Sequence, residues 1–357
     1  MKNKLLFLLT LLLILLFLCS CSDRGEVVLP AGSIAQRMTP GQKSPVLEQT
    51  TDQIVISFAG DMNVAAEVRY ENLGACFNRF AKTVEPEYFL KNVSHIFQND
   101  DITVADVENV FTDNALPRVD KGDESYAYWY RSGSENAKIL SCAGIEIGSI
   151  ANNHTMDFGT QGYEDTKAAL EAQGMTWGDE TRPIYVEKHG VRIGIFCCKL
   201  FGGGQLAPIM NWLEQEAPQK SDYQIVFFHG GTERIFTPDS WKVNYCHQMI
   251  DAGADLVIGG HPHVLQPFEK YNGGYIVYSM GNFLFGGSRT CENETIVYQQ
   301  ILTVQNGEII DEGYEMIPCH CYTDTLQTPY QPDVVTDPDA KQKILDFMHG
   351  RADTPMP

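Results

Sequence analysis

Short apolar runs alternate with amphipathic stretches along most of the chain. Ile54–Ala59, Ile102–Ala105, Ile145–Ile150, Ile193–Cys198, Ile225–His229, Leu256–Gly259 and Tyr275–Ser279 predict strands. Helical patterns fall between them, near Pro86–Phe97, Gln161–Gln173 and Ser240–Ala252. The last carries Trp241, Tyr245, Met249 and Ile250 at helical spacing, with Gly253 as its stop. Alternation of this kind predicts an α/β domain. From Thr295 the pattern changes: Ile296–Val304 and Glu308–Ile317 flank Asn306-Gly307, a strong hairpin signal. Beyond about residue 320 the chain is rich in Pro and Asp, with one short amphipathic piece at Lys341–Met348. There are no internal repeats.

The N-terminus departs from this alternation. Lys2 and Lys4 precede a run from Leu5 to Leu18 that is apolar except for Thr10. At about 14 residues the run is short for a transmembrane span and suits the apolar segment of a signal peptide. It ends in Leu18-Cys19-Ser20-Cys21-Ser22, which resembles a bacterial lipobox with Cys21 as the lipidated residue; an uncleaved anchor is the other reading. Both place the body outside the cytoplasm, tethered to a membrane. Residues 22–52 are rich in Ser, Pro, Gly, Gln and Thr without periodicity and read as a flexible stalk. The expected layout is therefore a lipoprotein signal peptide over 1–20, a stalk over 21–52, the folded domain over 53–318 and a C-terminal extension over 319–357.

The 357 residues, 43% hydrophobic, are ample for a sizeable core, and the net charge of −20 excludes whole classes of partner. DNA and RNA need a basic face, and so does adsorption to anionic lipid head groups. Cys197-Cys198 sit inside an apolar run and read as small buried hydrophobes. Cys319-His320-Cys321 is spaced too tightly for a zinc pair. In an oxidising compartment, Cys291 can form a disulfide with Cys319 or Cys321, and the sequence does not fix the pairing.

Polar residues of metal-ligand type follow several predicted strands, at the end where open α/β sheets bind ligands. Ala59-Gly60-Asp61-Met62-Asn63 turns sharply at the glycine and projects a carboxylate, although such a turn is often only structural. Val104-Ala105-Asp106-Val107-Glu108-Asn109 places acids and an amide after a strand, which a helix N-terminus would also favour. Ile150-Ala151-Asn152-Asn153-His154-Thr155-Met156-Asp157-Phe158-Gly159 is denser in functional groups than a turn needs. Phe227-Phe228-His229-Gly230-Gly231-Thr232-Glu233 puts a histidine at a strand tip beside two glycines. Ile258-Gly259-Gly260-His261-Pro262-His263 carries two histidines two residues apart, which point the same way in an extended segment. Ser279-Met280-Gly281-Asn282-Phe283 adds an amide that can line a pocket. Together these supply Asp61, Glu108, Asn153, His229, His261 and His263. Carboxylate, amide and imidazole suit Mn, Fe or Zn. Six protein ligands exceed what one catalytic ion with an open position takes and suit two bridged ions, which clamp a phosphoryl oxygen and activate water.

The order Gly-Asp, acid, Asn-His, His and Gly-x-His-x-His resembles the calcineurin-like metallophosphoesterases. Ala-Asn-Asn-His-Thr with Asp-x-Gly, His-Gly-Gly-Thr-Glu, Gly-His-Pro-His-Val-Leu-Gln and Tyr-Ser-Met-Gly-Asn-Phe are similar to the CapA, or poly-gamma-glutamate capsule synthesis, family over roughly residues 54–290. The resemblance implies an α/β fold: a four-layer α-β-β-α sandwich with two stacked mixed sheets. It implies one metal on Asp61, Glu108 and His263, and a second on Glu108, Asn153, His229 and His261, with Glu108 bridging. His154 would protonate the leaving group and Glu233 would lie in the outer shell. Two residues depart from the family wording: Asp106 stands where the family has Asn, and Arg234 where an aromatic is usual. The implied function is an exported, membrane-anchored hydrolase with two divalent metal ions, acting in capsule or poly-gamma-glutamate type polymer synthesis or processing. Its partners would be the membrane through Cys21, an anionic extracellular polymer or phosphoester substrate, and capsule-synthesis membrane proteins, with no nucleic acid. The alternative is a non-catalytic accessory lipoprotein that binds polymer or an assembly partner.

Overall fold

The computed structural model of the chain describes residues 51–71, 76–125, 127–287, 292–322 and 330–356. The signal segment, Cys21, residues 21–50 of the expected stalk and Cys291 lie outside them.

Two mixed sheets form the body. The eight-stranded sheet runs in the order Asp333–Val334, Glu308–His320, Glu294–Gln305, Asp52–Asn63, Ile102–Val107, Ile147–Ser149, Thr176–Gly178, with Asn282–Phe285 pairing beside Asp52–Asn63. The six-stranded sheet runs Leu265–Tyr271, Gly274–Met280, Leu256–Gly260, Tyr223–His229, Val191–Lys199, Ile184–Lys188. Antiparallel strands border the parallel strands on one side of the eight-stranded sheet and on both sides of the six-stranded sheet, and within each sheet the parallel strands end on the same side.

Side-chain alternation explains the stacking. Ile54, Ile56 and Phe58 share one face of their strand and meet Ile193, Ile195, Ile225, Phe227 and Ile258 of the other sheet in one core. Phe58 and Phe227 close it with ring centroids 6.1 Å apart. Ala59, Ala105 and Val107 face the opposite way, against Phe89, Phe97, Leu140 and Leu170 of the short helices and the helix Gly159–Ala172. Val226, Phe228 and Val257 pack outward on Cys246, Met249 and Ile250 of the helix Ser240–Asp251. Helix, sheet, sheet and helix are thus the four layers.

The Asn306-Gly307 hairpin forms between Glu294–Gln305 and Glu308–His320. Residues 319–357, set apart in sequence by their composition, contribute to the same core. Cys319 and His320 pair with Asp333–Val334, and the helix Pro338–Met348 buries Ile344, Phe347 and Met348 there. The pattern near Pro86–Phe97 resolves into two short turns, Pro86–Tyr88 and Ser94–Phe97, instead of one helix.

Candidate metal centre

The carboxyl ends of five strands deliver the site. Asp61 leaves Asp52–Asn63 at an irregularity in its pairing, where its N–H donates to Gly281 O at 2.9 Å. Gly60 permits this close approach, because a Cβ there would lie 2.0 Å from Gly281 O. Glu108 follows Ile102–Val107, His154 and Asn153 follow Ile147–Ser149, His229 ends Tyr223–His229, and His261 and His263 follow Leu256–Gly260. The two histidines do not converge through an extended segment as the spacing suggested. His261 has φ +93° and His263 φ +57°, so a tight left-handed turn brings their rings to 5.7 Å between centroids. The turn is held by Asp61, whose two oxygens accept from the His261 N–H at 3.0 and 3.2 Å. Gly260 leaves room for that carboxylate, since a Cβ would stand 2.3 Å from Asp61 Oδ1.

All six ligand-type residues meet. His263 Nδ1 lies 3.2 Å from Asp61 Oδ2, and its Nε2 lies 3.7 Å from Glu108 Oε1. On the other side of Glu108, His229 Nε2 lies 3.9 Å from the same oxygen, 2.7 Å from Asn153 Oδ1 and 2.9 Å from His261 Nδ1. Asp61, Glu108 and His263 form one group with donor atoms close enough for a single ion; Asp61, Asp106 and His229 form a second; Glu233, His261 and His263 form a third. Glu233 is exposed, 3.9 Å from His261 Nε2.

The charges of this cluster call for a cation. Glu108 is fully buried, and neither of its carboxylate oxygens has a hydrogen-bond partner among the described residues. A buried carboxylate left in this way costs several kcal/mol, roughly, unless something positive meets it. Burial pushes Glu108 well above the usual carboxylate range and Asp106 up to about 7. Burial also drives His229 down to about 3 and His261 well below an ordinary imidazole, so both rings are neutral. The single proton of His229 is claimed at Nδ1 by Asp106 Oδ2. With that proton on Nδ1, the His229 Nε2 lone pair is turned toward Asn153 Oδ1 and His261 Nδ1, the direction in which a metal ion would be met. Burial opposes charge on His263, but Glu108 and Asp61 hold it up to about 10.

Three neighbours carried no role in the sequence reading. Asp106, noted there only as a departure, accepts from Asn152 Nδ2 at 2.9 Å and orients His229. Asp157 Oδ2 lies 2.8 Å from His154 Nδ1, a contact across one turn that the i, i+3 spacing made legible. Lys121 Nζ meets Asp157 Oδ1 at 2.5 Å from an aperiodic loop that carries no sequence signal. Asn282, expected to line the pocket, lies with Oδ1 2.9 Å from His263 Nδ1. Over the cluster opens a cavity of about 640 Å³, walled by Lys121, Tyr128, Tyr130, His154, Glu233 and Arg234 among others.

Related proteins carry the same segment. The chain is 27% identical over 298 residues to the capsule biosynthesis protein CapA of Bacillus anthracis, covering 76% of this chain and 69% of that protein. It is 27% identical over 281 residues to the PGA biosynthesis protein CapA of Bacillus subtilis strain 168, covering 72% and 70%. Among solved structures, a phosphatase of Mycoplasma pneumoniae aligns with a TM-score of 0.46 at 14% identity, over 75% of this chain and 95% of that one. Residues 55–287, from the strand that carries Asp61 to the edge of the site beyond Asn282, match the model of the bacterial capsule synthesis protein PGA_cap, and the chain belongs to that family, within the metallophosphoesterase-like superfamily.

Proposed function

We propose that this chain is an exported, lipid-anchored, metal-dependent hydrolase acting on a phosphoester or polymer bond in capsule or PGA-type polymer synthesis or processing. The observation that carries the reading is Glu108, a buried carboxylate without a protein partner, set between His229 on one side and His263 on the other. Asp61, Glu108 and His263 would hold one divalent ion, and Glu108, Asn153, His229 and His261 a second. When bound, such a pair polarises a phosphoryl oxygen and supplies a nucleophilic hydroxide at neutral pH.

The chain's own groups do the rest. Asp106 fixes the tautomer of His229 and Asn282 that of His263, so that each presents its Nε2 inward. Asp157 holds His154 through Nδ1, leaving Nε2 turned into the site, 3.6 Å from Glu108 Oε1. Burial disfavours the charged ring but Asp157 favours it, and it is as the imidazolium that His154 would give its Nε2 proton to a leaving oxygen. Tyr130 packs on the His154 ring at 4.5 Å between centroids and keeps its orientation. Glu233 stands at the mouth, in the outer shell of His261.

The localisation reading rests on Lys2, Lys4, the Leu-rich run and Leu18-Cys19-Ser20-Cys21, with residues 1–20 removed and a stalk leading to the folded body, to which residues 319–357 also contribute. Detergent phase separation of the full chain and of Cys21→Ala tests it. The wild type should enter the detergent phase and the variant should leave it; equal retention would mean an uncleaved anchor. For the activity, Mn²⁺-loaded protein should hydrolyse a generic phosphodiester. Bound metal without turnover on any phosphoester or polymer offered would favour the accessory, polymer-binding reading.

A further inference from the structure

Arg234 stands at the rim of the cavity in a conformation that its side chain does not favour. Its φ is +59°, in the left-handed region where Gly or Asn sits with less strain. The backbone there is fixed against the metal ligands, because the Arg234 N–H donates at 2.8 Å to the carbonyl of Pro262, the residue between His261 and His263. Every residue but proline would make that bond, so the bond does not explain why an arginine is present.

The side chain does. Among the described residues, besides histidines, two cations line the cavity, Lys121 and Arg234. Lys121 is neutralised by Asp157 at 2.5 Å and also donates to Tyr128 O at 2.7 Å. The guanidinium of Arg234 forms no hydrogen bond or ion pair with any described residue, the acids of the lining, Glu233, Asp123 and Glu292, included. It is an exposed planar fork, carried on backbone that is anchored beside the proposed metal ligands and free to take a bidentate anion.

We propose that Arg234 selects substrates bearing an anionic group, carboxylate or phosphate, on the side of the ester that stays bound while the leaving group departs past His154. This names a substrate class for the proposed hydrolase site and rests on that reading. The anion would pair with Arg234 at the rim while the scissile group lies over Glu108. Because the pair is exposed, its contribution should weaken as salt rises.

The test uses full-length, Mn²⁺-loaded protein and three matched nitrophenyl phosphodiesters, whose second ester group ends in a carboxylate, a phosphate or a neutral methyl ester. In the wild type, KM should be lowest for one of the charged pair, and which one identifies the anion. Arg234→Gln should raise KM for that ester about tenfold, the scale of a lost charged hydrogen bond, with kcat and the neutral ester nearly unchanged. Arg234→Lys should restore part of the preference. Arg234→Gly should lose it like Arg234→Gln without lowering the melting temperature, which separates recognition from folding. An equal change for charged and neutral esters in Arg234→Gln would overturn the proposal. If the wild type cleaves none of the three, calorimetric binding of the same esters makes the same comparison. A preference for charge that disappears in Arg234→Gln then upholds Arg234 although hydrolysis has failed, and no preference overturns it.

Discussion

His154 Nδ1 lies 2.8 Å from Asp157 Oδ2, and the opposite nitrogen of the same ring faces Glu108. This relationship separates His154 from the other histidines of the site. His229, His261 and His263 contact one another or the carboxylates that would hold metal, whereas His154 is clamped from behind by an acid and points its free nitrogen at the place where bonds would change.

His154→Asn should therefore retain metal and lose turnover by roughly two to four orders of magnitude. The loss should shrink for an ester whose leaving group needs little protonation. His261→Ala should lower bound metal itself. Metal analysis and steady-state kinetics on the two variants check the assignment. Equal metal loss in both would contradict it.

Asp106→Asn addresses the acid behind His229. The amide keeps the shape but removes the charge that holds the His229 Nδ1 proton. Metal affinity should fall about ten- to hundredfold while the melting temperature of the metal-free protein holds or rises, since one buried acid has gone. Competition titration against a chelator reads the affinity. An unchanged value would remove Asp106 from the metal centre.

The pH dependence of metal binding follows from the protons that ligands must release. His263 is held up to about 10 and Glu108 well above its usual range, so at neutral pH the metal-free site carries protons that a metal ion displaces. Affinity should rise with pH between 6 and 9, about tenfold per unit for each proton displaced. Calorimetric titration at several pH values measures it, and a flat profile would contradict it.

Gly60→Ala tests how the Asp61 turn is built. The added Cβ would meet Gly281 O at 2.0 Å, and that atom is backbone, so it cannot swing aside. The expected cost is about 1–3 kcal/mol or more, seen as a lower melting temperature together with weakened metal binding. A variant as stable as the wild type would mean that the strand Asp52–Asn63 shifts easily at its end.

Much of this was legible in the sequence because apolar runs such as Ile225–His229 and Leu256–Gly259 are short, buried and followed directly by ligand-type residues. Strand ends were less legible. Asp52–Asn63 continues past the apolar run through Gly60-Asp61-Met62-Asn63 because Asn282–Phe285 pairs beside it, a contact between distant parts of the chain. Near Pro86–Phe97 the expected single helix does not form, although Phe89, Leu90, Val93, Ile96 and Phe97 are all buried. Tertiary contacts such as Phe77 on Phe89, at 5.0 Å, accommodate that burial with two short turns. Lys121 could not be read at all, since its partner Asp157 lies far along the chain and its own loop has no period. Asp106 was visible as a residue but not as the partner of His229, which depends on two strands from different sheets converging.

The most direct measurement is the rate of phosphodiester hydrolysis as Mn²⁺ is titrated into metal-free, full-length protein. The expected result is turnover that reaches its maximum at two bound ions per chain and is abolished by chelation. Saturation at one ion, or no turnover with two ions bound, would contradict the dinuclear hydrolase.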